Sequence, residues 1–203
     1  MDNEKIILEN NIWDLHLHTC KCPKGSNEFS KMEVKDYIKK LLSIAKKHPN
    51  LKLISFTDHN VINYEVYECL AKTEKRPNFI VGVEVDVNLE EITERDKYKH
   101  LIFYFDIDNY EKLIDNKMKI EKINEYLHNT PVQLGSLLNF LMTQRIRFVI
   151  SPHAFKQEKR SINHEWNEET STEIYSKKYS DQFFRSEERR VGKECRSRWS
   201  PYH

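Results

Sequence analysis

The run Phe79-Ile80-Val81-Gly82-Val83-Glu84-Val85-Asp86-Val87 constrains the fold more than any other stretch of the chain. It is almost continuously apolar, so it reads as a strand covered on both faces, as in parallel sheets. Glu84 stands in its middle. A buried carboxylate is costly unless it meets a cation, a metal ion or a shared proton. The fold must therefore bring a positive partner to this strand.

Further strands alternate with helical patterns. Over Ile12–Thr19, Trp13, Leu15 and Leu17 alternate with Asp14, His16 and His18. A strand repeats its side chains every second residue, so His16 and His18 point to one side. Ser30-Lys31-Met32-Glu33 has the form of a helix capping box. Met32, Val34, Tyr37, Ile38, Leu41, Leu42 and Ile44 then predict a helix to about Lys47. Leu51–Thr57 reads as a strand with Asp58 and His59 at its end, and a helix follows from about Asn63 to Lys72. After a polar excursion over 88–99, His100–Phe105 is another strand. The spacing predicts helix over Asn109–Leu127 with a break near Asp115-Asn116. Thr130-Pro131 reads as an N-cap with Pro at the first helical position. A last strand, Arg147–Ser151, ends at Pro152-His153.

This order predicts an α/β fold with a parallel sheet or barrel and right-handed crossovers. Chemistry in such folds gathers at the C-terminal strand ends. His16, His18, Asp58, His59, Glu84 and His153 fall there, whereas His100 opens its strand. Five imidazoles and a carboxylate suit Zn, Mn or Fe, not Ca. Two or three ions fit if Glu84 bridges.

Composition narrows the classes. With 203 residues, 38% of them hydrophobic, the chain suffices for one domain with a real core. No run reaches the roughly 20 apolar residues of a membrane span, and Met1-Asp2-Asn3-Glu4-Lys5 is unlike a signal peptide. Four cysteines without framework spacing predict a reducing compartment, the cytoplasm.

Residues 185–203 break with the rest: five of their six basic residues are Arg, while the preceding chain is Lys-rich. This segment resembles a sequencing-adapter oligonucleotide translated in one frame. Without it, 27 basic and 29 acidic residues remain, a net charge of −2. Residues 1–184 are then expected to be the N-terminal part of a domain that continues past Phe184. Such a fragment is expected to be inactive or poorly folded, since an open barrel lacks its closing strands.

Asp14-Leu15-His16-Leu17-His18-Thr19, Thr57-Asp58-His59-Asn60, Gly82-Val83-Glu84, the strand-initial His100 and Ser151-Pro152-His153 resemble, in order, the motifs of the PHP domain, the polymerase and histidinol phosphatase superfamily. The resemblance spans roughly Ile12 to Ala154. It implies a distorted (β/α)7 barrel, here incomplete, with two or three divalent ions at its mouth and phosphoester hydrolysis by a metal-bound hydroxide. It implies His16, His18, His59, Glu84, His100 and His153 as metal ligands, with Asp14 and Asp58 orienting ligand imidazoles.

Two positions depart from the family. Lys24 stands where the histidinol phosphatase branch has a ligand His, so that ligand is lost or Lys24 contacts a substrate phosphate. Cys20 and Cys22, beside it, are potential soft ligands. The family's late Asp-x-His has no counterpart before Phe184, and His164 lies in another context. The segment after His153 resembles PHP domains fused ahead of an ATPase module. Lys156 and Arg160 there are candidates for binding phosphate on a nucleotide or nucleic acid. The alternative function is a catalytically silent, metal-stabilised module regulating a downstream ATPase or polymerase-like partner. Hydrolysis of carbon–nitrogen bonds ranks third, because no candidate carbamylated lysine follows late on a strand.

Overall fold

A computed structural model describes residues 11–24, 29–88, 98–129 and 131–152. His153, Lys156, Arg160 and the 185–203 tail lie outside the described residues, as do the Asp181–Phe184 stretch and Thr130.

The described chain is a mixed α/β structure with seven strands in two sheets. The first sheet is parallel, in the order β1 (Ile12–Leu17), β2 (Leu51–Phe56), β3 (Asn78–Phe79). The second has the order β6 (Val132–Gln133), β4 (Val81–Asn88), β5 (Lys99–Phe105), β7 (Phe148–Pro152). Within it, β4 and β6 are parallel, while β5 pairs antiparallel with both β4 and β7. A parallel bridge between His59 and Glu84 joins the C-terminal end of β2 to β4. Six strands therefore point one way and β5 alone is reversed. An all-parallel sheet was expected, and this strand corrects it. A reversed neighbour needs no crossover helix. Among the described residues the strands do not close into a barrel.

The apolar run at 79–87 is divided between the sheets. Asn78–Phe79 pairs with β2, the pattern breaks at Ile80, and Val81–Asn88 pairs with β5. Tyr67 stitches this seam. Its hydroxyl accepts from Phe56 N and Gly82 N, both at 2.9 Å, and donates to Phe56 O at 2.7 Å. Gly82 is required by close approach: a Cβ there would lie 2.5 Å from Ser55 Oγ and 2.9 Å from Thr57 Cγ2.

Helices cover the sheets with apolar faces spaced three or four residues apart. In α1 (Val34–Lys47) the buried residues are Val34, Tyr37 and Ile38, and in α2 (Tyr64–Ala71) Val66, Tyr67 and Leu70. In α3 (Tyr110–Asp115) Leu113 is buried, and in α4 (Lys117–Leu127) Ile120, Ile123 and Leu127. In α5 (Leu134–Thr143) the buried face includes Leu134, Leu137, Leu138 and Leu141. Full burial of such a side chain contributes roughly 1.5–3 kcal/mol.

The break at Asn116, between α3 and α4, falls where the sequence places it, and Asn109 caps α3 by accepting from Lys112 N at 2.9 Å. Two helix starts differ from expectation. Glu33, not Ser30, is the N-cap of α1, and no side chain caps it. Met32 N instead donates to Phe29 O at 2.9 Å, a turn that leads into the helix. The helix expected from Thr130-Pro131 begins only at Leu134, because Val132 and Gln133 pair with Val87 and Asn88 first. Sheet pairing takes the residues that the proline signal assigned to the helix.

Candidate metal centre

The strand ends place four imidazoles around one carboxylate. Glu84 is 1% exposed. Its Oε2 lies 3.6 Å from Nε2 of both His16 and His18 and 3.5 Å from His59 Nδ1, and its Oε1 lies 2.5 Å from His100 Nδ1. The rings pack on one another: His16 and His18 meet edge-on at 5.0 Å, His18 and His59 stack at 4.9 Å, and His59 meets His100 at 5.3 Å.

Each position follows from its strand. His16 and His18 share a side of β1, as the alternation requires. His59 follows β2 and is fixed by backbone bonds on either side: Glu84 N donates to Asp58 O, and Asn60 N donates to Glu84 O at 2.7 Å. His100 is the second residue of β5, yet the reversed direction of that strand brings it to the same rim. It stands directly opposite Asp86, two residues beyond Glu84 on β4.

Asp58 is fully engaged. It accepts from Thr19 N at 2.6 Å, from Thr19 Oγ1 at 2.5 Å and from Asn63 Nδ2. Its Oδ1 lies 3.8 Å from His18 Nδ1, so it orients that ring and has little capacity left to ligate. Thr57 Oγ1 is 3.1 Å from His16 Nδ1, and Cys22 Sγ is 3.5 Å from His18 Nδ1. Asp14 is half-buried and reaches the backbone amide of His16 rather than an imidazole; burial pushes its pKa up to about 6 against that bond.

Asp86 and Asn60 were not singled out in the sequence as members of the site. Asn60 Nδ2 donates to Asp86 Oδ2 at 2.9 Å, and Asn60 Oδ1 accepts from Asp86 N at 2.8 Å. Asn60 holds φ at 58°, a left-handed conformation that Asn tolerates better than most residues. Lys24 ion-pairs with Asp86 Oδ2, and His100 Nε2 lies 3.1 Å from Asp86 Oδ1. The Glu84-Val85-Asp86 spacing was the available signal, since it puts two carboxylates on one face of an apolar strand.

In the metal-free chain the imidazoles carry the compensating charge. Burial opposes charging His18, but bonds to Asp58 and Cys22 outweigh it and raise its pKa to about 10. Burial likewise opposes charging His100, and the carboxylates of Asp86 and Glu84 raise it to about 9. His59 is held neutral: burial and its charged neighbours lower it to about 4, against the pull of Glu84. Burial would raise Glu84, yet the bond from His100 and the pull of His16 and the other surrounding imidazoles lower it to about 2. Asp86 stays well below the usual carboxylate range; burial is overcome by His100, Lys24 and Asn60.

Two groups of donors have the convergence a divalent ion needs, with ligand atoms within 4.8 Å of one another: His16, His18 and Glu84, and His59, Asp86 and His100. A third, His18, Cys22 and Asp58, meets the same spacing, but its carboxylate is already committed. The donor set of imidazole and carboxylate fits Zn, Mn or Fe. No helix among the described residues is long and apolar enough to cross a membrane. No protein-family model matches the chain, and no curated protein matches it.

Proposed function

We propose that this protein is a metal-dependent hydrolase of phosphoesters of the PHP type, acting in the cytoplasm. The observation that carries the reading is a buried Glu84 ringed by His16, His18, His59 and His100. Nothing in the packing of the core needs a carboxylate there, and four imidazoles converging on one are a poor way to stabilise a strand. Divalent ions at this cluster supply positive charge for phosphoryl oxygens and acidify water. The chain's own residues do the rest. His16 and His18 turn their Nε2 atoms towards Glu84, each on a half-buried side chain. Asp58 and Thr57 fix the orientation of His18 and His16. The Lys24 ammonium offers a further positive group for a phosphate. A nucleotide or nucleic acid is the candidate substrate class, with Lys156 and Arg160 as additional contacts and an ATPase module as the candidate downstream partner.

The test is a metal-content measurement on the full chain, followed by assay of a generic phosphodiester and monoester with added Zn, Mn or Fe. Any turnover is expected to require metal and to fall to background in Glu84→Ala and His18→Ala. Undiminished turnover in both variants sinks the reading. The position of Lys24 on Asp86 favours a second reading, a metal-stabilised regulatory module without turnover. Full metal loading with no hydrolysis of either substrate class, together with binding to an ATPase partner, selects it.

A further inference from the structure

Asp86 carries its bonds on one oxygen. Its Oδ2 accepts from Asn60 Nδ2 at 2.9 Å and ion-pairs with Lys24 Nζ. Its Oδ1 is buried and takes no hydrogen bond; His100 Nε2 lies 3.1 Å away but out of hydrogen-bonding alignment. His59 Nδ1 is likewise buried without a hydrogen bond. Asp86 as a whole is 3% exposed, so water does not serve its bare oxygen. A carboxylate kept only as the partner of a lysine has no reason to bury an oxygen in this state, since that oxygen loses water and gains no donor.

The anchoring of Asp86 is firm. Asn60 Oδ1 also accepts from the backbone N–H of Asp86 at 2.8 Å, so one side chain grips residue 86 twice. Asn60 is itself fixed by its backbone N–H, which donates to Glu84 O at 2.7 Å. Ligating carboxylates are hydrogen-bonded by neighbours that set their direction. Here that support falls on Oδ2 and leaves Oδ1 beside the imidazoles. The 3.1 Å between Oδ1 and His100 Nε2 also suits two donors to one ion: bonds of about 2.1 Å at a tetrahedral angle place such atoms roughly 3.4 Å apart. Lys24 does not bar the site, because it sits on the other oxygen and its side chain is 40% exposed, which leaves the ammonium open to water.

We propose that Asp86 is an inner ligand of a divalent ion held with His59 and His100, and that Asn60 is the positioning residue that aims it. The inference rests on the metal-centre reading above and adds a second carboxylate to the ligands around Glu84.

Cobalt makes the inner sphere visible, because a thiolate bonded to Co2+ gives a charge-transfer absorption that nitrogen and oxygen ligands do not. The full chain is stripped with chelator, loaded with Co2+ and measured by absorption, with circular dichroism to verify folding and the wild type as baseline for its own cysteines. Asp86→Cys is expected to add such a band, the longer metal–sulfur bond offsetting the shorter side chain. A folded, cobalt-loaded Asp86→Cys with no added band overturns the proposal and leaves the metal centre standing. Should Asp86→Cys fail to fold or to load, the isosteric Asp86→Asn decides: after loading with Zn2+ and desalting it is expected to retain one ion fewer than the wild type, and an equal count overturns the proposal. Asn60→Gly, which tolerates the left-handed backbone, is expected to keep the band of Asp86→Cys out of the wild-type spectrum while weakening one zinc ion by roughly 10–100-fold; unchanged affinity overturns the role of Asn60. A wild type that binds neither Co2+ nor Zn2+ overturns the proposal and the metal centre together.

Discussion

Replacing Glu84 by Gln keeps the shape of the side chain and removes its charge from the ring of imidazoles. In the metal-free chain Glu84 ionises at about 2 instead of 4.5, which corresponds to roughly 3 kcal/mol of net favourable interaction for the charged form. The side chain is 1% exposed, so solvent screening does not dilute this much. Loss of one partner from a buried charge cluster costs a similar amount in other proteins, about 3–5 kcal/mol. With a denaturant slope of about 2 kcal/mol per M, the urea midpoint should fall by about 1.5 M. The assay is urea unfolding of the full-length wild type and Glu84→Gln in excess chelator across pH. A carboxylate with a lowered pKa contributes stability above pH 4.5 that is lost as pH falls towards 2. An imidazole with a raised pKa contributes stability below 6.5 that is lost as pH rises towards 9 for His100 and 10 for His18. The gap between the two proteins is therefore widest between pH 4.5 and 6.5 and narrows towards pH 9–10. Indistinguishable midpoints at pH 6, or a gap that does not change with pH, would refute the idea that charge compensation holds this cluster together.

Metal binding should have the opposite pH dependence. Ligation must displace the protons of His18 and His100, whose pKa values are about 10 and 9, so zinc affinity should rise from pH 6 to 9 with proton release; calorimetry in buffers of different ionisation enthalpy measures this, and no net proton release contradicts it. Gly82→Ala should destabilise the chain by about 1–3 kcal/mol, because its Cβ meets Ser55 Oγ, Thr57 Cγ2 and, at 3.2 Å, Tyr104 Cδ1. A thermal melt unchanged from wild type would show that the seam between β2 and β4 gives way more easily than the contacts imply.

What the sequence disclosed depended on local chemistry. His16 and His18 were legible because alternation fixes the face of a strand, and Glu84 because a carboxylate in an apolar run demands an explanation. The break at Asn116 was legible from the polar pair Asp115-Asn116 inside the helical pattern. The split at Ile80 was not, since the run around it is apolar on both sides of the break and the Tyr67 hydroxyl that secures the seam arrives from α2. The start of α5 was misplaced because pairing of Val132 and Gln133 with Val87 and Asn88 is a long-range event. Lys24, Asn60 and Asp86 come from three separate segments, and only the cross-strand register unites them. Asn60 in particular looks like any polar residue after a strand; its left-handed backbone and its two side-chain bonds to Asp86 emerge only in the fold.

The reversal of β5 also determines where variation in this protein would be felt. A crossover between parallel strands leaves the sheet at one rim and returns at the other, so only one of its anchors adjoins the cluster. The connection between β4 and β5 departs two residues after Asp86, at Asn88, and is back at Tyr98, two residues before His100. Both of its anchors belong to the rim that holds the cluster, and Tyr98 already touches His100 and Lys24. Lengthening, shortening or recharging that excursion would therefore act next to the cluster at both of its anchors. Like the connection that carries Lys24, it could reshape the surroundings of the cluster without any candidate ligand being replaced.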